Sequence, residues 1–422
     1  MNAARLLNTF LDLVRIDSLS LKEKDVAAYC KRALGQAGCT VRFDDSQKRT
    51  GSNTGNLIAT LPASGATGAA AGVAAASAGK ATGAAKAAGA APALDVPFAP
   101  ALDAAPASAA PSSAPSTAPS STCYFSAHMD TVGPGEGIEP VIADGIITSS
   151  SNTVLGGDDK VGLAAIIELV RTLAENDEPH PEIGVLFTVA EEIGLRGAHA
   201  MDSGGFHGKP CFVLDADGKP GVVIIGAPFH YLFTATFSGR AAHAGIAPEK
   251  GVSAIALAAQ AVCAMRLGRL DENTTANVGT ISGGDAFNVV PSTCVVTGEF
   301  RAMDKQRIAE VKAQMTSALE DAVLGTEGSV TIEWEEEYRG FRLSEDDSLV
   351  RSVLDAATAL GLPAHALLTC GGSDANVFAD KGLKPLVLGT GMTDVHGTDE
   401  SLAVEDMNNL ARLCIAIAYA AR

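Results

Sequence analysis

Histidine and acidic residues follow the apolar runs of this sequence at the points where the runs end. After four such runs stand His128 and Asp130, Glu191 and Glu192, Asp215 and, beyond a short glycine loop, His396. The segment LGGDDKVG adds Asp158 and Asp159 directly before a predicted helix. Ligands of open α/β sheets bind outside the carboxyl ends of the strands. We therefore expect these side chains to meet at one edge of a sheet, although each alone would be an ordinary solvated strand end.

The set combines imidazoles with carboxylates and contains no clustered thiolates. This combination favours zinc, or a related divalent ion such as cobalt or manganese. The carboxylates exceed what one ion needs, so we expect two ions about 3.5–4 Å apart, bridged by a carboxylate and a water. Such a pair would lower the pKa of the water and polarise a carbonyl group. One carboxylate outside the metal shell would then carry the proton from the water to the leaving nitrogen.

The order of the predicted elements indicates two domains, as does the length of 422 residues. The runs Ile183–Val189 and Cys211–Leu214 are continuously apolar, which is typical of strands buried on both faces of a parallel sheet. From about residue 222 the order becomes β-α-β-β-α-β, that of a ferredoxin-like unit, and the first pattern returns after Leu343. We predict an α/β catalytic domain with a mostly parallel sheet over 1–221 and 343–422, interrupted by a ferredoxin-like α+β domain over 222–342.

Residues from about 62 to 121 are mostly Ala, Gly, Ser, Pro and Thr. Such a segment buries too little apolar area to offset its ordering entropy, so we predict a disordered surface insertion between two strands. An Ala-rich helix is the alternative, but Gly83, Gly89 and Pro92 argue against it.

A helix start is predicted near the N-terminus. Ser20 and Glu23 have the spacing of a capping box, in which each side chain binds a backbone N–H of the first helical turn. The helix that follows would carry Val26, Cys30 and Leu34 on one face.

Composition excludes several classes of function. Lys and Arg number 31 against 49 Asp and Glu, and the formal charge of −18 argues against nucleic acid as a partner. We identify no signal peptide and no membrane span. The eight cysteines are scattered without a C-x-x-C pair, which favours the reducing cytoplasm.

Seven motifs together carry a resemblance to a known family. They are SAHMDTV, LGGDDKVGLAA, FTVAEEIGLRGA, VLDADG, GRAAHAG, GGSDANVF and GTGMTDVHGTDE. Their order and approximate spacing resemble the dizinc aminoacylase/carboxypeptidase superfamily of metallopeptidases, and its peptidase T-like branch most. The similarity covers nearly everything except residues 62–121. It implies a phosphorylase/hydrolase-like α/β domain of the zinc-peptidase type and an inserted dimerisation or lid domain.

The resemblance also implies a role for each matching residue. The first zinc ion would be held by His128, Asp158 and Asp215, and the second by Asp158, Glu192 and His396. Asp217 competes with Asp215 as the ligand. Asp130 would orient the imidazole of His128, and Glu191 would be the general base. A cis peptide bond is expected after Asp158.

Residues of the inserted domain would complete the site. In the family, the histidine that matches His243 reaches the active site of a neighbouring subunit and stabilises the oxyanion, which implies a homodimer. Asn288 and Arg301 would bind the carboxylate or oxyanion of the substrate. The loop residues Gly371, Gly372 and Ser373 would line the substrate site.

These implications lead to a hydrolase of peptide or amide bonds. The first hypothesis is a cytoplasmic dizinc aminopeptidase, resembling a tripeptidase, in which a hydroxide bridging two zinc ions attacks a short peptide. The second is deacylation of N-acyl amino acids at the same site, because one fold hosts many such reactions. The third, from another class, is a catalytically silent binding or scaffold protein.

Overall fold

The structure is a computed structural model, and it describes residues 1–64 and 122–421. From residue 65 onward, the insertion predicted at about 62–121 lies outside the described residues. Within the described ranges, every helix is too short or too polar to cross a membrane.

Helices and strands alternate through most of the described chain. The helices are α1 (Ala3–Val14), α2 (Lys24–Gln36), α3 (Gln47–Thr50), α4 (Gly157–Glu175), α5 (Arg196–Ala200), α6 (Ala254–Ala264), α7 (Lys305–Asp321), α8 (Ser348–Ala359), α9 (Asp374–Asp380) and α10 (Val404–Ala420). The first strands are β1 (Thr40–Phe43), β2 (Leu57–Leu61), β3 (Cys123–His128), β4 (Pro140–Ala143), β5 (Ile146–Ser149), β6 (Ile183–Thr188), β7 (Pro210–Ala216), β8 (Val222–Ala227) and β9 (Phe229–Ser238). The remaining strands are β10 (Gly268–Asp271), β11 (Thr274–Gly283), β12 (Thr293–Ala302), β13 (Ser329–Tyr338), β14 (Phe341–Arg342), β15 (His365–Leu368), β16 (Lys384–Gly389), β17 (Met392–Thr393) and β18 (Ser401–Ala403).

The largest sheet has the strand order β1-β2-β6-β3-β7-β16-β8-β14, with β15 paired to β8. Its four central strands, β6, β3, β7 and β16, are mutually parallel. Strand β6 is buried along its whole length, and α4 packs its apolar residues into the same core. The predicted fold class is thereby confirmed, and the parallel strands send their carboxyl ends to one edge of the sheet.

The second sheet is antiparallel, with the order β10-β11-β12-β9-β13. Its strands and the helices α6 and α7 share a separate core that includes Phe233, Phe237 and Phe300. This is the predicted β-α-β-β-α-β unit with β10 as an additional strand. The exact domain boundaries remain a proposal. Strand pairing favours an inserted domain of 229–338, because β8 and β14 pair within the larger sheet.

A third sheet, of order β17-β18-β5-β4, was not predicted from the sequence. Its strands contain between two and four residues each, too few to show a clear alternation of apolar and polar residues. Strands β17 and β18 pair with each other on either side of the segment 394–400. The small sheet therefore positions the loop that carries His396.

The predicted capping box is wrong. Helix α2 begins at Lys24, and the residue before it, Glu23, makes no side-chain hydrogen bond to the first helical turn. The hydroxyl of Ser20 donates instead to Asp130 Oδ2 at 2.7 Å, and Glu23 Oε1 accepts the N–H of Ala190 at 2.9 Å. Both side chains therefore form hydrogen bonds with residues distant in sequence and do not cap the helix.

Candidate metal centre and active site

The acidic and histidine residues chosen from the sequence lie at the carboxyl ends of the central strands and in the loops beside them. His128 is the last residue of β3, and Asp215 lies near the end of β7. Glu191 and Glu192 follow β6, and Asp158 stands at the start of α4, where its backbone is not yet helical. The expectation of a single edge for these residues agrees with the geometry. The peptide bond between Asp158 and Asp159 is cis, as expected.

Asp158 lies between the two histidines. Its Oδ1 is 2.9 Å from His128 Nε2, and its Oδ2 is 3.2 Å from His396 Nε2. Asp215 Oδ1 lies 4.0 Å from the same nitrogen of His128. Glu192 Oε2 lies 3.1 Å from the same nitrogen of His396. The two oxygens of one carboxylate therefore face two separate groups of potential ligands.

Three groups of side chains bring their donor atoms within 4.8 Å of one another. They are His128 with Asp158 and Asp215, Asp158 with Glu192 and His396, and His128 with Glu191 and Glu192. The first two groups share only Asp158. Besides Asp158, each of them contains one imidazole and one further carboxylate. Imidazole nitrogen and carboxylate oxygen suit zinc and related divalent ions. The side chains present thus fit a pair of cations bridged by Asp158.

The carboxylates of the cluster differ in their affinity for protons. Burial alone would raise the pKa of Asp158, but hydrogen bonds with His128 and His396 outweigh it and hold that pKa below its usual range. Burial, and next the charge of Asp158, raise the pKa of Asp215 well above its usual value. Burial, and next the charge of Asp215, likewise raise the pKa of Glu191. Such crowding of buried negative charge is what a bound cation would relieve.

The second ring nitrogen of His128 faces Asp130. Nδ1 lies 3.0 Å from the main-chain oxygen of Asp130 and 3.5 Å from its Oδ1. The carboxylate of Asp130 accepts the backbone N–H groups of Glu191 and Glu192. Asp130 thus connects the strand end that carries His128 with the loop that carries the two glutamates. An Nδ1–H donated to the carbonyl oxygen leaves Nε2 free to bind a metal.

A cavity of about 190 Å³ opens beside the cluster. It is lined by four carboxylates and His396 from the cluster, by Asp217, and by Gly371, Gly372 and Ser373. The predicted substrate loop therefore faces the candidate metal ligands. Asp215 belongs to a donor group with His128, whereas Asp217 belongs to none found among the described residues. Geometry favours Asp215 as the ligand.

Three predicted residues of the inserted domain do not line this cavity. His243 and Asn288 lie on adjacent exposed loops, where Ala244 N–H donates to Asn288 O at 2.9 Å. Arg301 forms an ion pair with Glu299 and reaches Cys370 O at 3.4 Å, next to the substrate loop. Within one chain, Arg301 is therefore close to the site, whereas His243 and Asn288 remain at the surface.

Two acidic residues near the site were missed. Glu400 is buried, and its carboxylate accepts the N–H groups of Gly156 and Asp158 at 2.8 and 3.0 Å. Asp374 is buried and accepts the hydroxyl of Thr188, and burial raises its pKa to about 6. Glu400 is the last residue of the motif GTGMTDVHGTDE, and Asp374 lies within the motif GGSDANVF. Their positions in motifs that also contain predicted site residues could have indicated that both lie near the site.

Comparisons with known families match two parts of the chain. Residues 232–327 match the peptidase dimerisation domain family. Residues 112–211 match peptidase family M28. The first match falls on the inserted antiparallel sheet, and the second includes the strands that carry His128 and precede Glu191.

Whole-chain similarity extends to several bacterial proteins, and three of them are at least 31% identical to this chain. The uncharacterised YqjE protein of Bacillus subtilis is 34% identical over 417 residues, which cover 99% of this chain and 98% of that protein. Aminopeptidase PepT from Bacillus cereus, whose crystal structure is known, is 34% identical in sequence. Its structure superposes with a TM-score of 0.81, and the match covers 100% of this chain and 99% of that protein. A tripeptidase from Staphylococcus aureus is 31% identical, with a TM-score of 0.83 and coverage of 100% and 99%.

Proposed function

This chain belongs to the peptidase T-like branch of the M20 family of metallopeptidases, and from that membership we propose that it is a metal-dependent aminopeptidase of short peptides, tripeptides above all. The coarser class, a peptide hydrolase, follows from the family. The similarity to an aminopeptidase supports release of residues from the amino end, and the similarity to a tripeptidase supports the preference for tripeptides.

The observation that carries this proposal is the position of Asp158 between two imidazoles. In the proposed site, His128 and Asp215 would hold one divalent ion, Glu192 and His396 would hold the other, and Asp158 would contribute a carboxylate oxygen to each. We propose zinc, with cobalt or manganese as the alternatives that the same donors accept. When bound, such a pair lowers the pKa of water and polarises the carbonyl group of the scissile bond.

The side chains around the cavity then have separate tasks. Glu191 lines the cavity and takes a proton from water before giving it to the leaving amine. The loop Gly371–Ser373 lies against the substrate, where the absence of a side chain at the two glycines allows close approach of the backbone. Arg301 lies beside this loop and provides a positive charge for the substrate carboxylate.

Metal analysis together with a substrate panel tests the proposal. We expect about two zinc ions per chain and hydrolysis of tripeptides with a free amino end. Asp158→Asn should bind less metal than the wild type, because the bridging position loses its charge. Turnover of N-acetyl or N-succinyl amino acids in preference to tripeptides would replace the peptidase by an amidohydrolase. A wild-type protein that binds no divalent ion would overturn the metal site itself.

The cysteines support a reducing compartment. All eight are free thiols in the described residues, and Cys30, Cys123 and Cys414 are buried. Burial raises the pKa of Cys30 and Cys123 to about 12, so these thiols stay protonated and unreactive. We propose a cytoplasmic protein on this ground.

The inserted domain exposes apolar side chains beside His243. Phe287 and Ile246 are largely exposed, and Val289, which pairs with His243, is exposed to a smaller extent. We call these three residues the lid patch. Exposed apolar groups of this kind mark interaction surfaces, and the match to a peptidase dimerisation domain supports a second copy of the chain as the partner. We propose a homodimer in which the lid patch is buried and His243 reaches the neighbouring active site.

A complementation experiment tests the shared site. His243→Ala is expected to lower kcat about 10²–10³-fold, the usual loss when one oxyanion donor is removed. Co-expression of His243→Ala with Glu191→Gln, which is inactive for a different reason, should return about a quarter of the wild-type activity. About half of randomly formed dimers are mixed, and each mixed dimer holds one complete site.

Tagged mixed dimers, isolated and assayed, make the result independent of expression levels. Phe287→Asp serves as the control, because a charge in the lid patch should prevent dimerisation, as seen by light scattering, and abolish complementation. Mixed dimers that are as inactive as their parents would refute a role for His243 across the interface.

A further inference from the structure

The loop that carries the two glutamates is held by side chains instead of by the sheet. After β6, four consecutive backbone N–H groups donate to buried side-chain oxygens. These bonds are Val189 to Asn56 Oδ1 at 3.1 Å, Ala190 to Glu23 Oε1 at 2.9 Å, Glu191 to Asp130 Oδ1 at 3.0 Å and Glu192 to Asp130 Oδ2 at 3.2 Å. The N–H groups of the loop are therefore held by three residues that are distant from it in sequence, while the carbonyl groups of Ala190 and Glu191 accept backbone N–H groups from the segment 194–196.

Glu23 and Asn56 form no hydrogen bond with a candidate metal ligand among the described residues, and of these two Glu23 is the one that binds Ala190, the residue before Glu191. The Glu23 side chain is completely buried, and its Oε1 accepts the N–H groups of Leu21 at 2.8 Å and of Ala190. Its Oε2 accepts the hydroxyl of Ser52 at 2.5 Å. Leu21 and Ala190 both have left-handed backbone conformations, with φ of 73° and 53°. Residues with a Cβ atom rarely adopt such angles unless their surroundings enforce them.

We propose that Glu23 is a positioning residue for the reaction, which holds Ala190 in its left-handed conformation and thereby directs Glu191 and Glu192 toward the cavity. The inference rests on the proposed function, in which Glu191 is the base and Glu192 a metal ligand. It also explains why Glu23 leaves helix α2 uncapped. Its carboxylate is committed to the loop, and Lys24 N–H is bound by Asn53 instead.

Two substitutions of Glu23 separate the effect of losing the hydrogen-bond acceptor from the effect of changing the side-chain volume. Glu23→Met keeps a linear side chain and removes the acceptor, whereas Glu23→Gln keeps an acceptor at the position of Oε1. We expect Glu23→Met to lower kcat and metal affinity about 10–100-fold, the usual effect of losing a partner that supports the ligands. Glu23→Gln should retain most of both. Amide hydrogen exchange of the segment 190–192 should rise in the Met variant and stay low in the Gln variant.

A second substitution tests the conformational cause. Ala190→Gly removes the Cβ atom that disfavours a positive φ, so Glu23→Met with Ala190→Gly should regain part of the lost kcat. Glu168 offers a matched control, because it is as buried as Glu23 and binds Asn2 and Arg5 far from the loop. Glu168→Met should lower the melting temperature and leave kcat and the exchange of 190–192 unchanged.

The outcomes distinguish this inference from the proposed function. Failure of the wild type to hydrolyse peptides would refute the function, yet raised exchange at 190–192 in Glu23→Met would still show that Glu23 holds the loop. Unchanged exchange in Glu23→Met would overturn the inference, whatever the activity. Wild-type kcat in Glu23→Met, or no recovery on adding Ala190→Gly, would also overturn it.

Discussion

Removal of divalent metal with EDTA is expected to abolish the hydrolysis of tripeptides, and zinc or cobalt is expected to restore it. The donor groups around Asp158 offer imidazole nitrogens together with carboxylates, and these carboxylates are crowded around the buried Asp158. Without cations the site lacks the positive charge that activates water and polarises the carbonyl group. The measurement is tripeptide turnover after dialysis against EDTA and after stepwise addition of each metal.

Magnesium provides the control for this experiment. It prefers an octahedral shell of oxygen ligands and binds imidazole poorly, so it should fail to restore activity at concentrations at which zinc succeeds. The melting temperature should follow metal binding as well. A ligand that binds only the folded state at about a thousand times its Kd adds about 4 kcal/mol to the free energy of unfolding. Full activity in EDTA, with no change in melting temperature, would eliminate the metal centre.

The candidate metal ligands could be predicted from the sequence because the elements that position them have strong local signals. Strands β3, β6 and β7 are buried and read as apolar runs, and a polar residue at the end of such a run is visible without any structure. Parallel pairing then brings the strand ends together, whatever the detailed geometry. His128, Glu192 and Asp215 were chosen on this ground, and their clustering follows from the sheet.

The support around these ligands could not be predicted in the same way. Ser20 and Glu23 have the spacing of a capping box, but local spacing does not reveal that Asp130 and Ala190 will lie nearby in the fold. The tertiary partners offer the two side chains buried hydrogen bonds, and these compete successfully with the first turn of a helix. The short strands β4, β5, β17 and β18 were missed for a related reason, since their stability comes from pairing and not from a local pattern.

His243 and Asn288 illustrate a third limit. Their loops pair with each other through Ala244 N–H and Asn288 O, and both lie outside the cavity of their own chain. Neither the sequence pattern nor one copy of the fold contains the contact that would give them a role. The role of His243 rests on the family resemblance alone. Complementation of the two inactive variants would give direct evidence for it.

Glu191→Gln is expected to lower kcat about 10²–10⁴-fold, the usual contribution of general acid–base catalysis, while the protein still binds about two metal ions per chain. This loss corresponds to a barrier higher by about 3–5 kcal/mol. Glutamine keeps the size of the side chain in the cavity, but it neither takes a proton from water nor gives one to an amine. The measurement pairs steady-state kinetics on a tripeptide with metal analysis of the same preparation.

Glu192→Gln is the matched control, since the two glutamates are neighbours on one loop and both line the cavity. Glu192 lies 3.1 Å from His396 Nε2 and shares a donor group with Asp158, so its variant should lose metal as well as activity. Glu191 also belongs to a donor group, with His128 and Glu192, and metal analysis decides between base and ligand. Loss of one ion in Glu191→Gln would make Glu191 a ligand. An unimpaired kcat would show that Glu191 takes no part in the reaction. The proton would then have to be carried by another carboxylate of the cavity, and Asp217 is the one that lines the cavity without belonging to a donor group found among the described residues.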